Sequence, residues 1–169
     1  MRKQSRSSLI LSRISYREIL EFSFRIHDPS TRNRVLLSVE VAVPPARAFE
    51  ALASPEVTRW WVRPGVFDTR EWAGDVRVGG RWRASGLFRG QPYSVEGAFL
   101  EVDAPRWLAH TWHGVRAPGA ATTVTYVLEA SGRGTRIELR HSGFDSREAS
   151  AGFSAGWEAS FERLVEILA

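Results

Sequence analysis

At 169 residues, with 43% apolar and 25% charged content, the chain is long enough for one domain with a sizeable core and short for two. It has no cysteine, which excludes disulfides, thiolate nucleophiles and cysteine-based metal sites and fits a reducing, cytoplasmic location. The formal charge of +4 is uneven: residues 1–34 carry eight Lys or Arg against three Asp or Glu, whereas 35–169 carry 15 Arg against 16 acids, so the body lacks the concentrated basic charge of a nucleic-acid-binding domain.

Lys3 is the only lysine, so Schiff-base chemistry and a phosphate-loop lysine are unavailable to the body of the chain. No run approaches the roughly 18 apolar residues of a membrane span, and no integral membrane association is expected.

Residues 1–33 differ from the rest. They open on a basic, serine-rich stretch, and Leu9, Ile10, Ile14, Ile19 and Leu20 then recur at loosely helical spacing. We read 1–33 as a poorly ordered extension or a start codon placed too far upstream, and 34–169 as the domain.

From Val35 the pattern sharpens. Val35, Leu37, Val39, Val41 and Val43 alternate with Leu36, Ser38, Glu40 and Ala42, which predicts a strand with one buried face. Pro44 and Pro45 end it and suit the first turn of a short helix over 46–53 with Ala48, Phe49 and Leu52 inward. Ser54, Pro55 and Glu56 start a second short helix that ends at Trp60 and Trp61.

Six further strands are predicted over 69–73, 80–86, 93–103, 107–114, 122–130 and 135–141, separated by Gly-, Pro- and Asp-containing turns. Such spacing implies an antiparallel meander and not βαβ crossovers. The last segment, 146–168, sets Phe153, Trp157, Phe161, Leu164 and Leu168 on one helical stripe, which must lie across the concave face of the sheet.

The segments VEVAVPPARAFEALASPEVTRWW, GGRW, EVDAPRWLAHTW, GTRIELRHSGF and the GW of the last helix resemble the SRPBCC superfamily. Within it they are similar to homologues of the activator of the heat-shock-protein-90 ATPase, over about 35–169. The resemblance implies an α+β, START-like helix-grip fold. In that fold a curved seven-stranded antiparallel sheet wraps a long C-terminal helix over a cavity, and two short helices follow the first strand. It also implies binding of a small apolar molecule, or alternatively a protein partner in the manner of the co-chaperone.

Alternation places Leu108, His110 and Trp112 on one strand face, Val124, Tyr126 and Leu128 on the next, and Ile137, Leu139 and His141 on the last. Pointed at the helix, these faces make Trp60, Trp61, Trp82, Phe99, His110, Trp112, Tyr126, His141, Trp157 and Phe161 candidate cavity residues. The aromatics would be the walls and the two histidines the polar contacts.

His110 and His113 point to opposite faces and cannot chelate one ion together; neither a metal nor a cofactor is expected. His110 and His141 facing one cavity suit general acid–base work in a cyclase- or hydrolase-like enzyme, but no nucleophile or carboxylate pair accompanies them. Glu101 is the acid nearest to an inward position. Arg140 is expected to point outward into solvent. Gly156, inside the final helix, suggests close approach of another element.

Overall fold

The computed structural model describes residues 33–169, apart from 116–118 and 133. The extension expected over 1–33 lies outside the described residues but for Asn33. The chain forms β1 (Val35–Val41), α1 (Pro45–Leu52), α2 (Val57–Trp60), β2 (Val62–Arg63), β3 (Phe67–Gly74), β4 (Arg81–Phe88), β5 (Gln91–Asp103), β6 (Trp107–Gly114), β7 (Thr122–Ser131), β8 (Gly134–Ser142) and α3 (Arg147–Ile167). Among the described residues no helix is long and apolar enough to cross a membrane.

All strands join one antiparallel sheet in the order β1-β8-β7-β6-β5-β4-β3-β2. Strands β2 to β8 form the expected meander, and β1 pairs with β8 through Leu37↔Leu139 and its neighbours. Among the described residues the sheet has eight strands where seven were expected. The extra one is β2, whose two residues pair as Val62↔Asp68 and Arg63↔Phe67 and are too few to show a period of two.

The alternating strands bury one face as their patterns require. Along β7, Val124, Tyr126 and Leu128 are buried, and along β8 Thr135, Ile137, Leu139 and His141 are. Helix α3 lies over this face with Trp157, Ser160, Phe161 and Leu164 buried. Ser146 caps it, its hydroxyl accepting a bond from the Ala149 N–H at 3.1 Å, which satisfies one of the free donors of the first turn.

Helix α1 has Pro45 in its first turn and buries Ala48, Phe49, Ala51 and Leu52. The Arg47 guanidinium grips the Glu56 carboxylate through two bonds of 2.8 and 2.7 Å and ties α1 to the turn that opens α2. Consecutive tryptophans at the end of α2 then serve different neighbours. Trp60 donates its indole N–H to the Ala51 carbonyl at 2.9 Å and packs on Phe161, whereas Trp61 turns toward the sheet.

Two irregularities aim side chains. The β5–β6 register shifts between Phe99↔His110 and Glu101↔Ala109, so Leu100 is an extra residue. Phe99 stays inside, while Leu100 and Glu101 both face solvent. Glu101 is therefore not an inner acid; the bulge resets its face.

Gly97 is the second device. A Cβ there would collide with the Thr111 carbonyl oxygen and stand 2.6 Å from the Trp82 indole nitrogen. Its absence lets the Trp82 indole cross β5 and donate to the Thr111 carbonyl at 3.1 Å.

Candidate functional site

Cross-strand register lines up one row of the concave face. Phe99 pairs with His110, His110 with Val124, and Val124 with His141. The two histidines are thus two strand spacings apart, roughly 10 Å, with Val124 between them. Both are buried, at 4% and 0% exposure. The two rings take separate hydrogen-bond partners.

Each histidine is also already bonded. The Trp157 indole can only donate, so its 3.0 Å bond to Nδ1 makes that atom of His141 the acceptor. His141 therefore carries its proton on Nε2, which donates to the Thr122 hydroxyl at 2.6 Å, and Thr122 donates onward to the Trp112 carbonyl at 3.3 Å. His110 donates from Nδ1 to the Thr111 carbonyl at 3.1 Å.

Burial holds both rings neutral. It pushes His110 down to about 4 against a slight opposing pull from the Thr111 carbonyl. His141 falls to about 3, through burial first and the neighbouring His110 second.

Around this row stands a cluster of rings. Trp61 lies 4.9 Å from Trp112, 5.8 Å from Trp82 and 5.9 Å from Trp157, centroid to centroid. Trp82 covers His110 at 4.8 Å, and Tyr126 touches both His110 at 6.0 Å and Trp157 at 6.3 Å. Most of these pairs meet edge to face or tilted, the arrangement that ring quadrupoles favour.

Phe161 joins the cluster through Trp157, and Phe99 through His110. Trp60 stands behind Phe161 with its N–H satisfied, so it supports the cluster from the side of α1.

Two residues that sequence reasoning left out of the site complete one end. Phe144 lies in the loop after β8 and packs on His141 at 4.5 Å. Phe153, expected on the buried stripe of α3, is 36% exposed, because its ring caps His141 and Phe144 at the rim. Half-buried Trp112 lies 6.2 Å from Phe153, so the aromatic cluster reaches solvent between them.

Gly156 shows ordinary packing and no forced close approach. A Cβ there would meet only the Phe67 ring, at 3.5 Å. Arg140, expected to be solvated, is half-buried with its Nε out of contact with water.

Two polar atoms inside this face have no partner among the described residues. They are the Tyr126 hydroxyl, on a residue with no exposed surface, and the Trp61 indole Nε1. Burial raises the Tyr126 pKa, so its hydroxyl keeps its proton and remains a donor. Leaving a buried donor unpaired costs about 1–3 kcal/mol.

An open depression of about 380 Å³ lies across β3, β4 and β5, beside Asp75, Arg81, Arg83 and Glu96, and Trp82 of the aromatic cluster also lines it. Its rim carries four charged side chains, and neither orphaned donor lines it. Among the described residues no group of three or more His, Asp or Glu is arranged to hold a metal ion.

The same architecture recurs in known proteins. Residues 42–169 match the family described as Activator of Hsp90 ATPase homolog 1-like protein. The chain belongs to this family.

No curated protein matches the chain. Among solved structures, the fold is similar to that of protein CV1439 from Chromobacterium violaceum, with 24% identity, 80% of this chain and 96% of that one covered, and a TM-score of 0.70. The AHSA1 (SPO3351) protein from Silicibacter pomeroyi is 25% identical, with 80% and 96% covered and a TM-score of 0.68. A protein from Rhodobacter sphaeroides reaches a TM-score of 0.73 at 22% identity over 83% of this chain and 95% of that one. The family match begins just after β1 and runs from α1 through the end of α3.

Proposed function

We propose that the protein binds a small, largely apolar molecule between the sheet and α3, among Trp61, Trp82, Trp112, Tyr126 and Trp157. The observation that carries this reading is the Tyr126 hydroxyl, fully buried among rings and without a partner among the described residues. A chain that gained only packing from this position would do better with phenylalanine, which has no hydroxyl to desolvate.

Family membership supports the same reading. The inner face supplies aromatic walls and hydrogen-bonding groups, which suit the binding of a small molecule.

The test is a titration with a panel of hydrophobic small molecules, read by tryptophan fluorescence and thermal shift. Four indoles line the face, so an occupant is expected to quench or shift their emission and raise Tm. Silence across a diverse panel, together with stimulation of the chaperone ATPase by the purified protein, would favour the protein-partner alternative instead.

A further inference from the structure

The sheet ends on an open strand. Among the described residues β1 pairs with β8 alone, in an unbroken register from Val35↔His141 to Val41↔Thr135, so its other edge presents backbone N–H and C=O groups without partners. Proteins blunt such edges with proline, lysine, a bulge or a very short strand. β1 has none of these, and Glu40 is its one charged residue.

The apolar stripe is also unfinished there. Leu37 and Val39 are only half-buried, whereas their register partners on β8, Leu139 and Ile137, are enclosed. Leu36, on the opposite face, is 56% exposed. A strand laid along this edge completes both the hydrogen-bond ladder and the apolar face.

The chain carries such a segment at the right place. Phe22, Phe24 and Ile26 alternate with Ser23, Arg25 and His27, the period of a strand with one apolar face. Asp28, Pro29, Ser30 and Asn33 follow, the residue types of a turn. Asn33 leads into β1, its side-chain amide donating to the Phe144 carbonyl at 3.5 Å, so residues 1–32 join the described fold at one end of the open edge.

We propose that residues 22–27 fold back through a hairpin and pair antiparallel with the open edge of β1, adding a strand to the eight of the sheet. Setting Phe24 opposite Val39 and Ile26 opposite Leu37 leaves 29–34 for the connection, a usual length. This parity puts the three apolar side chains beside Leu37 and Val39 on the inner face. It puts Arg25 opposite Ser38 on the outer face, diagonal to the Glu40 carboxylate. A slip of one residue turns Phe22, Phe24 and Ile26 outward, so the apolar pattern selects the register. A second copy of the protein offers the same edge, but the tethered segment competes at a far higher local concentration.

Hydrogen exchange of the full chain tests the pairing. The outward amides of β1 are expected to be protected. Neighbouring N–H groups along an antiparallel strand point to opposite edges, so one of Phe24→Pro and Arg25→Pro must remove a ladder bond. That variant is expected to speed exchange along the β1 edge about tenfold or more, while amides shared by β7 and β8 stay protected and report an intact fold.

Free exchange along the edge in the unmodified chain would overturn the proposal. So would protection that survives both prolines; if it fades on dilution, a second copy covers the edge. The absence of cysteine from the chain permits a second measurement. Ser23→Cys with Glu40→Cys is expected to close a disulfide within one chain, whereas Phe24→Cys with Glu40→Cys, on opposite faces, is not. Bridges only between chains, or the same result for both pairs, would also overturn it.

Discussion

The Trp157 indole donates to His141 Nδ1 across 3.0 Å, joining the middle of α3 to the last strand of the sheet. This bond fixes where the helix sits on the concave face. It also fixes the histidine tautomer, and through Nε2 it recruits Thr122 and the Trp112 carbonyl into one chain of donors.

His141→Leu should therefore destabilise the protein by about 2–4 kcal/mol. Leucine fills most of the ring's space but leaves the Trp157 N–H without its acceptor and Thr122 without its donor. Urea denaturation followed by tryptophan fluorescence measures it, and an unchanged midpoint would show that the bond contributes little.

Acid should unfold the protein through its histidines. Their folded pKa values, about 4 for His110 and about 3 for His141, lie below the ordinary 6.5 of an unfolded chain. The unfolded state thus binds protons that the folded state refuses. Stability is complete above about pH 6.5, declines as pH falls through the interval between the two states, and levels off below the folded values, with several kcal/mol lost in all. Glu56, held below the usual carboxylate range by the Arg47 guanidinium, adds its own loss only at lower pH. Denaturation midpoints at pH 7, 6 and 5 check this, and a flat profile over that range would contradict it.

Two glycines should respond oppositely to alanine. Gly156→Ala places a methyl at ordinary distance from Phe67 and removes a poor helix former, so a gain of about 0.5–1 kcal/mol is expected. Gly97→Ala drives the same methyl into the Thr111 carbonyl and the Trp82 indole, so a loss of about 2 kcal/mol or more is expected. Thermal melts of the two variants decide both.

Tyr126→Phe, without any added ligand, should be neutral or stabilising by up to about 1 kcal/mol, because the lost hydroxyl has no partner among the described residues to leave behind. A clear drop in Tm would mean that the hydroxyl bonds to something within the folded protein.

Much of this architecture was legible from local periodicity. Alternation along 107–114, 122–130 and 135–141 assigns Leu108, His110, Trp112, Tyr126, Leu139 and His141 to one face, and each lies on the concave side of the sheet. The final helix was visible in the apolar spacing of 146–168. A strand's period of two and a helix's period of 3.6 are set by backbone geometry within a few residues, so a linear string carries them.

The relationships that make the site belong to the assembled sheet. The alignment of Phe99, His110, Val124 and His141 depends on register across four strands, and the extra residue Leu100 both shifts that register and turns Glu101 outward. Phe144 reaches the cluster from a loop, and Thr122 meets His141 only because their strands are neighbours. Residues far apart in the chain carry no mark of their partners, so the pairing of Trp157 with His141, and the isolation of the Tyr126 hydroxyl, emerge only once helix and sheet close on each other.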